Sequence, residues 1–310
     1  MEYRKLGKSG LEVSKLGLGG NTFGWWADEQ TSIPVINHAI DSGINFIDTA
    51  DVYDQGHSEE FVGKAVKDKR SQVIIATKFG MAMDDGPNQK GGSRYYIMKA
   101  VDASLRRLQT DYIDLYQMHW PDTTTPIEET LRALDDLVRA GKVRYIGCSN
   151  FAAWQLCEAL WTSRVNNLHS FVTVQPRYNL LDRNIEAELV PCCQTYGIGV
   201  IPYSPLSGGF LTGKYRQGEQ TSTDGRLSTP SPRTDAIFSE NNWNKLAKLE
   251  AFAAERGHKV GELAIAWLLA KPYISTVIAG STKIEQVSAN VAAAEWKLTA
   301  EEVAEVDAIS

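Results

Sequence analysis

An alternation of short apolar runs with longer helical segments is the feature that most constrains the fold of this chain. Apolar and β-branched residues cluster in eight strand-length runs, at residues 15–18, 45–48, 73–77, 113–119, 143–148, 171–175, 199–203 and 276–278. The segments between them place apolar residues three and four positions apart, as in 127–140, which follows Pro126 and precedes Gly141. Strands that alternate with helices form a parallel sheet, and eight such units predict an α/β fold of the (β/α)8 TIM barrel type.

The pattern extends along the chain without a break that would divide it. Further helices are predicted at about 32–42, 59–66, 96–108 and 185–196. No shift in composition interrupts the 310 residues, so we predict one domain spanning 1–310. The stretch 218–240 is rich in Ser, Thr, Pro and Gly and is predicted to be an irregular loop with a functional or mobile role.

Charge and composition argue against several classes of protein. The 38 acidic residues outnumber the 32 basic ones, and no Lys/Arg run offers a footprint for nucleic acid or anionic lipid. The longest apolar stretch, 263–270, is far shorter than the roughly 20 residues that cross a bilayer, and residues 1–10 lack the apolar centre of a signal peptide. The four cysteines form no C-x-x-C pair, which argues against structural zinc or a disulfide framework. We therefore expect a cytoplasmic protein with a small-molecule partner.

Polar residues stand at the ends of the predicted strands, where the active site of such a barrel lies. Asp48 ends the second strand and is followed in the loop by Tyr53, while Lys78 follows the third strand and His119 ends the fourth. A carboxylate, a phenol, an amine and an imidazole that converge on one mouth form a site able to donate a proton. Later strands end in further polar residues, namely Ser149, Asn150, Gln175, Tyr203 and Ser204.

From near its N-terminus to about Asn290, the chain resembles the aldo-keto reductases. Five stretches carry the resemblance, all in the family's order: residues 45–53, 76–78, 112–119, 141–150 and 175–181. The resemblance implies an NADPH-dependent reduction of an aldehyde or ketone to an alcohol by reversible hydride transfer. Its implied catalytic residues are Asp48, Tyr53, Lys78 and His119.

The chemistry of carbonyl reduction suggests a role for each of these four side chains. Reduction leaves negative charge on the carbonyl oxygen, so a nearby group must donate a proton, and Tyr53 is the candidate. A free phenol has a pKa near 10, and a Lys78 ammonium about 4 Å away would contribute on the order of 4 kcal/mol at an effective dielectric of 20. We therefore expect Lys78 to lower the pKa of Tyr53. Asp48 would hold Lys78 charged, and a neutral His119 would orient the substrate oxygen.

A cofactor surface across the barrel mouth is also implied by the resemblance. Ser149, Asn150 and Gln175 would bond the nicotinamide carboxamide, and Tyr203 would stack against its ring. The full set of implied cofactor residues is Gly20, Asn21, Asp48, Ser149, Asn150, Gln175, Tyr203, Ser204, Pro205, Leu206, Lys214, Gly280, Ser281, Thr282, Lys283, Gln286 and Asn290. The expected substrate pocket consists of Trp25, Trp26, Tyr53, His119 and Trp120.

Cofactor choice depends on the segment after the eighth strand, where the family holds the adenosine 2′-phosphate. Lys283 is the basic residue placed there, and it favours NADPH/NADP+. Gln286 stands where many members of the family carry arginine, so use of NADH as well stays open. Arg226 and Arg233 in the long loop are the next candidates to contact the 2′-phosphate.

Several other interpretations compete with this one. Residues 208–214 match G-x-x-x-x-G-K, but Tyr215 occupies the position of the magnesium-binding hydroxyl, and Thr22 replaces the last glycine of a G-x-G-x-x-G pattern that begins at Gly17. A nucleotide-binding regulatory subunit with vestigial activity stays open, because the channel β-subunits share this fold and these four residues. A metal-dependent barrel hydrolase is the third interpretation, but the five histidines show no ligand spacing, and we expect no metal.

Overall fold

The computed structural model describes residues 1–218 and 226–310, and its central element is a parallel sheet of eight strands. Strands β3 to β10 form this sheet, and β1 and β2 form a separate pair. Their bounds are β1 (Tyr3–Lys5), β2 (Glu12–Ser14), β3 (Leu16–Gly19), β4 (Phe46–Asp48), β5 (Ile74–Phe79), β6 (Ile113–Met118), β7 (Val143–Ser149), β8 (Phe171–Gln175), β9 (Gly199–Val200) and β10 (Val277–Gly280). Strands β3 to β9 pair in chain order, and β10 pairs with β3. Two backbone hydrogen bonds close the circle between the segments around β9 and β10: Ser275 N donates to Val200 O (2.9 Å), and Ile278 N donates to Pro202 O (3.2 Å). The predicted (β/α)8 fold is confirmed.

Helices cover the outer face of this sheet. They are α1 (Glu29–Asp41), α2 (His57–Val66), α3 (Arg94–Leu108), α4 (Ile127–Arg139), α5 (Ala153–Val165), α6 (Leu189–Tyr196), α7 (Pro232–Ile237), α8 (Glu240–Glu255), α9 (Val260–Leu269), α10 (Ile284–Glu295) and α11 (Ala300–Ile309). Local capping fixes several starts: the Asp28 carboxylate accepts the Thr31 N–H (2.9 Å), and the Ser93 hydroxyl accepts the Tyr96 N–H (3.3 Å). Within the described ranges, no helix is both long and apolar enough to span a bilayer.

Two boundaries differ from those predicted. Strand β9 ends at Val200 instead of 203, because Pro202 has no N–H to continue the ladder. The stretch 218–240 is not wholly irregular, since Ser231 caps α7 and Pro232 suits its first turn. Residues 219–225 of that stretch lie outside the described residues.

The N-terminal hairpin closes the floor of the barrel, a feature that the strand pattern did not predict. Strands β1 and β2 pair antiparallel, and the segment between them carries Leu6, which is fully buried together with Val13. Both pack in one apolar cluster with inward-facing barrel residues, namely Phe46, Ala76, Leu115, Ile201 and Ile278. Gly7 lies so close to the base of the barrel that a Cβ there would collide with the Val172 carbonyl. The lower end of the barrel is therefore filled by side chains.

Candidate active site

A layer of polar side chains lies directly above the apolar floor of the barrel. Phe46 and Ala76 face the barrel interior, so the residues two positions on, Asp48 and Lys78, face it one level higher. Lys78 is aligned with Gln117 of the next strand, and all three polar side chains are buried. Register alone therefore gathers these residues at the carboxyl ends of β4, β5 and β6, the end of the barrel where (β/α)8 enzymes hold their active sites.

The Lys78 ammonium is the centre of this layer. Its Nζ donates to Asp48 Oδ2 at 2.6 Å, to the Thr49 carbonyl at 2.8 Å and to the Tyr53 hydroxyl oxygen at 3.2 Å. Those three contacts match the three donors of an ammonium group. The side chain has no measurable exposure to solvent, so the ion pair with Asp48 is shielded from competing water.

Two glutamines complete the surroundings of Asp48. Its Oδ1 accepts hydrogen bonds from Gln175 Nε2 at 2.8 Å and from Gln117 Nε2 at 3.3 Å. Gln175 was expected to contact a cofactor, whereas Gln117 was not singled out from the sequence. The signal was available, because Gln117 precedes His119 by two positions and a polar side chain facing into a barrel needs a partner.

The electrostatics of Tyr53 differ from the expectation. Burial and the nearby Asp48 carboxylate raise the pKa of the phenol above its usual value, despite the opposing effect of Lys78. The expected lowering is therefore wrong for the free protein, because burial disfavours the phenolate and Asp48 offsets much of the ammonium charge. Although burial disfavours its charge, Asp48 and Tyr53 raise the pKa of Lys78, which is consistent with a charged lysine.

His119 sits beside this group as a neutral imidazole. Burial, with the Lys78 charge adding to it, lowers the pKa of His119 to about 3. The ring centroid lies 5.7 Å from that of Tyr53 in an edge-to-face arrangement. Within residues 1–218 and 226–310, the buried Nδ1 atom of His119 has no hydrogen-bond partner. The imidazole can therefore present one N–H donor close to the phenol.

An exposed aromatic wall extends outward from Tyr53. Trp25 lies 6.0 Å from the Tyr53 ring and 5.8 Å from Trp26, measured between ring centroids. Each of these tryptophans is about half exposed, with 50% and 52% of its surface accessible. Trp120 follows His119 and is also half exposed, but it makes no ring contact with the aromatic residues of the described ranges. Four of the five expected pocket residues, Trp25, Trp26, Tyr53 and His119, are thus connected by ring contacts.

The residues expected to hold the nicotinamide are joined in one hydrogen-bonded network. The Ser149 hydroxyl donates to the Gln175 carbonyl at 2.7 Å, and Asn150 Nδ2 donates to the His119 carbonyl at 3.0 Å. The Tyr203 hydroxyl donates to Asn150 Oδ1 at 2.9 Å. Asn150 itself has a positive φ of 61°, which asparagine tolerates better than most residues. Strands β7 and β8 and the segment after β9 therefore present one connected polar rim.

The loop after β9 contains several left-handed backbone conformations. Positive φ values occur at Ser204 (59°), Ser207 (46°), Gly208 (67°) and Gly209 (94°). The N–H groups of Ser207 and Gly209 donate within the turn, to the Ser204 carbonyl at 3.0 Å and to the Leu206 carbonyl at 2.8 Å. Lys214 packs over this turn, since a Cβ on Gly209 would lie 3.3 Å from its Nζ. This turn, which also contains Pro205 and Leu206, therefore has the Lys214 ammonium beside it.

A second cationic surface, separate from that of Lys214, lies at the end of β10. Arg226 Nη2 donates to Asn21 Oδ1 at 3.2 Å, and a Cβ on Gly280 would approach both of those atoms to 3.0 Å. The guanidinium also lies 5.2 Å from the centroid of Trp26. Gly280 thus forms the floor of a narrow cradle that any other residue would fill. Arg226 was only a secondary candidate from the sequence, but it reaches this cradle directly.

The remaining residues after β10 begin helix α10. Lys283 is the N-cap residue and is exposed, while Gln286 Oε1 accepts the Thr282 N–H at 2.8 Å. Asn290 Nδ2 donates to the Ser281 hydroxyl at 3.4 Å. The helix N-terminus and its lysine make this a suitable surface for a phosphate group. Gly20 is the last of the expected cofactor residues. It lies against β4, where a Cβ would be 2.9 Å from the Asp48 carbonyl oxygen.

Comparison with known proteins identifies the family of this chain. The model of the aldo/keto reductase family matches residues 15–310. The chain is 38% identical to a probable voltage-gated potassium channel subunit beta of Oryza sativa subsp. japonica, over 100% of this chain and 96% of the relative. It is 38% identical to a versiconal hemiacetal acetate reductase of Aspergillus parasiticus, over 98% and 95% of the two chains. It is 39% identical to an aldo-keto reductase of Bacillus subtilis (strain 168), over 100% and 93%. The chain therefore belongs to the aldo/keto reductase family.

Proposed function

We propose that this protein reduces an aldehyde or ketone to an alcohol with NADPH, in a reversible reaction in which Tyr53 donates the proton. The observation that carries the proposal is the buried contact of one ammonium, that of Lys78, with the Asp48 carboxylate and the Tyr53 phenol. Relatives named as reductases support the same class of reaction. A small carbonyl compound or sugar is the partner in this proposal, because the exposed aromatic wall suits apolar and sugar faces.

Each side chain then has a distinct task. When bound, the cofactor supplies a hydride to the carbonyl carbon. Tyr53, whose raised pKa keeps it protonated at neutral pH, has a proton available for the oxygen. Lys78 stabilises the phenolate left behind, and Asp48 holds the ammonium in place. His119 offers a second donor to the same oxygen and so limits its orientation.

The polar rim and the two cationic surfaces support a dinucleotide partner. Ser149, Asn150, Gln175 and Tyr203 would hold the nicotinamide end, and the turn around Gly209 with Lys214 would hold the pyrophosphate. The surface formed by Arg226, Gly280 and Lys283, with Gln286 and Asn290 one and two turns further along α10, would hold the adenosine phosphate. A 2′-phosphate beside these cations would favour NADPH, while the polar contacts are open to NADH as well.

The test is cofactor oxidation over a panel of aldehydes, ketones and sugars. Wild-type protein should oxidise NADPH with at least one class of carbonyl, and Tyr53→Phe should lower turnover by about 10²- to 10⁴-fold, the range of general acid catalysis. Cofactor affinity should be kept, since the phenol ring stays in place. Tyr95→Phe is the matched control, because Tyr95 is exposed (68%) on helix α3. Wild-type turnover in Tyr53→Phe, with chemistry rate-limiting, would remove Tyr53 as the donor.

A regulatory role is the second candidate, favoured by the similarity over the whole chain to a protein named as a potassium channel subunit. In that case the protein would bind NADPH tightly without appreciable turnover of any carbonyl in the panel. Co-expression with a potassium channel would then change the channel current. Turnover without an effect on the current would support the reductase.

The proposal also covers domain organisation and cellular location. Residues 1–310 act as one domain, and the reaction takes place in the cytoplasm. The free thiols of Cys148, Cys157, Cys192 and Cys193 support a reducing compartment. Fractionation of the native host, followed by assay of carbonyl reduction, tests that location.

A further inference from the structure

Two acidic side chains are buried together beneath the loop that leads to Tyr53. Asp51 is 1% exposed and Glu59, on helix α2, is fully buried. Glu59 has a complete set of partners: Arg107 Nε donates to its Oε2 at 2.7 Å, and the Thr77 hydroxyl donates to its Oε1 at 2.5 Å. The charge of Glu59 is therefore neutralised by the Arg107 guanidinium. Asp51 has no such cation of its own within the described residues.

The contacts of the Tyr96 hydroxyl fit an Asp51 carboxyl that carries a proton. The Tyr96 hydroxyl lies 3.5 Å from Asp51 Oδ2 and 3.1 Å from the Met81 carbonyl oxygen. A hydroxyl has one hydrogen, and a carbonyl can only accept, so the shorter contact takes the Tyr96 proton. The longer contact becomes a hydrogen bond if Asp51 is a neutral acid whose O–H donates to the Tyr96 oxygen.

Two unpaired atoms and the charge balance lead to the same conclusion. Among residues 1–218 and 226–310, neither Asp51 Oδ1 nor the Tyr116 hydroxyl has a hydrogen-bond partner, and both are buried. Leaving a carboxylate there would cost far more than leaving a neutral acid. Burial and the Glu59 charge raise the pKa of Asp51 to about 8, against the opposing effects of Arg107, the Val52 N–H and the Tyr96 hydroxyl.

Asp51 also lies in the turn that sets the position of Tyr53. Its own N–H donates to the Lys78 carbonyl at 3.2 Å, and the Tyr53 N–H donates to the Ala50 carbonyl at 3.2 Å. Through the Tyr96 hydroxyl, the Asp51 side chain is joined to Met81, in the loop that follows Lys78. The contact thus joins the turn that carries Tyr53 to the loop that follows β5, the strand of Lys78.

We propose that Asp51 is a positioning residue that works as a neutral acid, donating a hydrogen bond to Tyr96 and so holding the Tyr53 loop against the loop after Lys78. This inference rests on the proposed function only in taking Tyr53 as the proton donor. The charged and titratable groups that face Asp51 are the Glu59 carboxylate, the Arg107 guanidinium and the phenols of Tyr96 and Tyr116. Ionisation of Asp51 would place a second carboxylate beside Glu59 with one guanidinium for both.

A neutral Asp51 makes both folding stability and turnover depend on pH. The acid is neutral in the folded protein over a range in which an unfolded aspartate, with a pKa near 3.9, is ionised. Folding therefore retains a proton, and the stability due to this site falls as the pH rises toward 8. Turnover should decline over the upper part of the same range as the Tyr53 loop loses its contact with Tyr96.

Three variants separate positioning from general stability. Asp51→Asn keeps an N–H donor for the Tyr96 oxygen, so it should retain wild-type turnover and lose the decline near pH 8. Asp51→Ala removes the donor and should lower kcat by about 2- to 13-fold, equivalent to one net hydrogen bond of 0.5–1.5 kcal/mol, with KM for the carbonyl unchanged. Glu60→Gln, on the same helix turn as Glu59 but partly exposed, is the control and should match the wild type.

A measurement without cofactor or substrate keeps the inference independent of the reaction. The carboxyl carbon of Asp51, followed by 13C NMR and assigned by its loss in Asp51→Asn, should titrate near pH 8. Titration near pH 4 would overturn the inference whether or not the protein is a reductase. Equal turnover in Asp51→Ala and Asp51→Asn, measured on folded protein, would also overturn it. If Asp51→Ala does not fold, two measurements still test the inference: the 13C titration of Asp51 and the pH profile of Asp51→Asn, which should be flat near pH 8.

Discussion

Replacing Lys78 with methionine tests the electrostatic account of the site most directly. The substitution keeps most of the side-chain volume and removes the ammonium that lies 3.2 Å from the Tyr53 oxygen. At that separation and an effective dielectric of 20, the attraction between ammonium and phenolate is about 5 kcal/mol. If half to all of it is expressed in the transition state, the rate of the chemical step should fall by about 80- to 5,000-fold.

The same change leaves the Asp48 carboxylate buried without its cation, which costs about 3–5 kcal/mol of folding stability. Asp48→Asn/Lys78→Met removes both charges and should recover much of the stability while staying inactive. Lys64→Met, at an exposed lysine paired with Glu29, is the surface control. The assay is single-turnover reduction at saturating NADPH, together with thermal unfolding. A folded Lys78→Met protein that reduces carbonyls at more than a tenth of the wild-type rate would refute the reasoning.

Four shorter predictions concern other parts of the molecule. Lys283→Ala should weaken NADPH binding about 10- to 150-fold and leave NADH binding unchanged; equal weakening of both cofactors would shift attention to Arg226→Ala in the same titration. Because the pKa of His119 is about 3, the pH profile of reduction should show no step near 6.5, and a step there that His119→Gln abolishes would contradict a neutral imidazole. Gly63→Ala would bring a Cβ to 2.7 Å from the Leu108 carbonyl and should cost about 1–3 kcal/mol, seen as a lower Tm. Activity should survive dialysis against a chelator, since the described ranges hold no cluster of metal-binding side chains, and its loss would indicate a metal.

The sequence was most informative where local pattern and burial act together. Strand alternation placed Asp48, Lys78 and Gln175 at the open end of the barrel, because apolar runs mark strands and the residue after each run lies at the carboxyl end. The hairpin at the floor was missed because β1 is exposed at both end positions and has no apolar run. Its two buried contacts, Leu6 and Val13, become visible only when the barrel base is assembled.

Electrostatic properties were harder to predict from sequence. The pKa of Tyr53 depends on the balance between burial, which raises it, and Lys78, which lowers it, and that balance is set by packing. Gln117 and Glu59 were overlooked for a related reason. A polar residue inside a predicted strand or helix looks the same in sequence whether it faces solvent or a buried partner.

The closed floor also has a consequence for how such a barrel can be altered. Leu6 and Val13 lie with Phe46 and Leu115 at one end of the barrel axis, and Tyr53 with the aromatic wall lies at the other. Changes to the hairpin would therefore alter the yield of folded protein and treat every substrate alike. Under the proposed function, changes to the loop carrying Trp25 would alter which substrates are accepted and leave folding nearly untouched. Directed evolution could then use two separate libraries, one at each end, with gains expected to add because the sites are far apart.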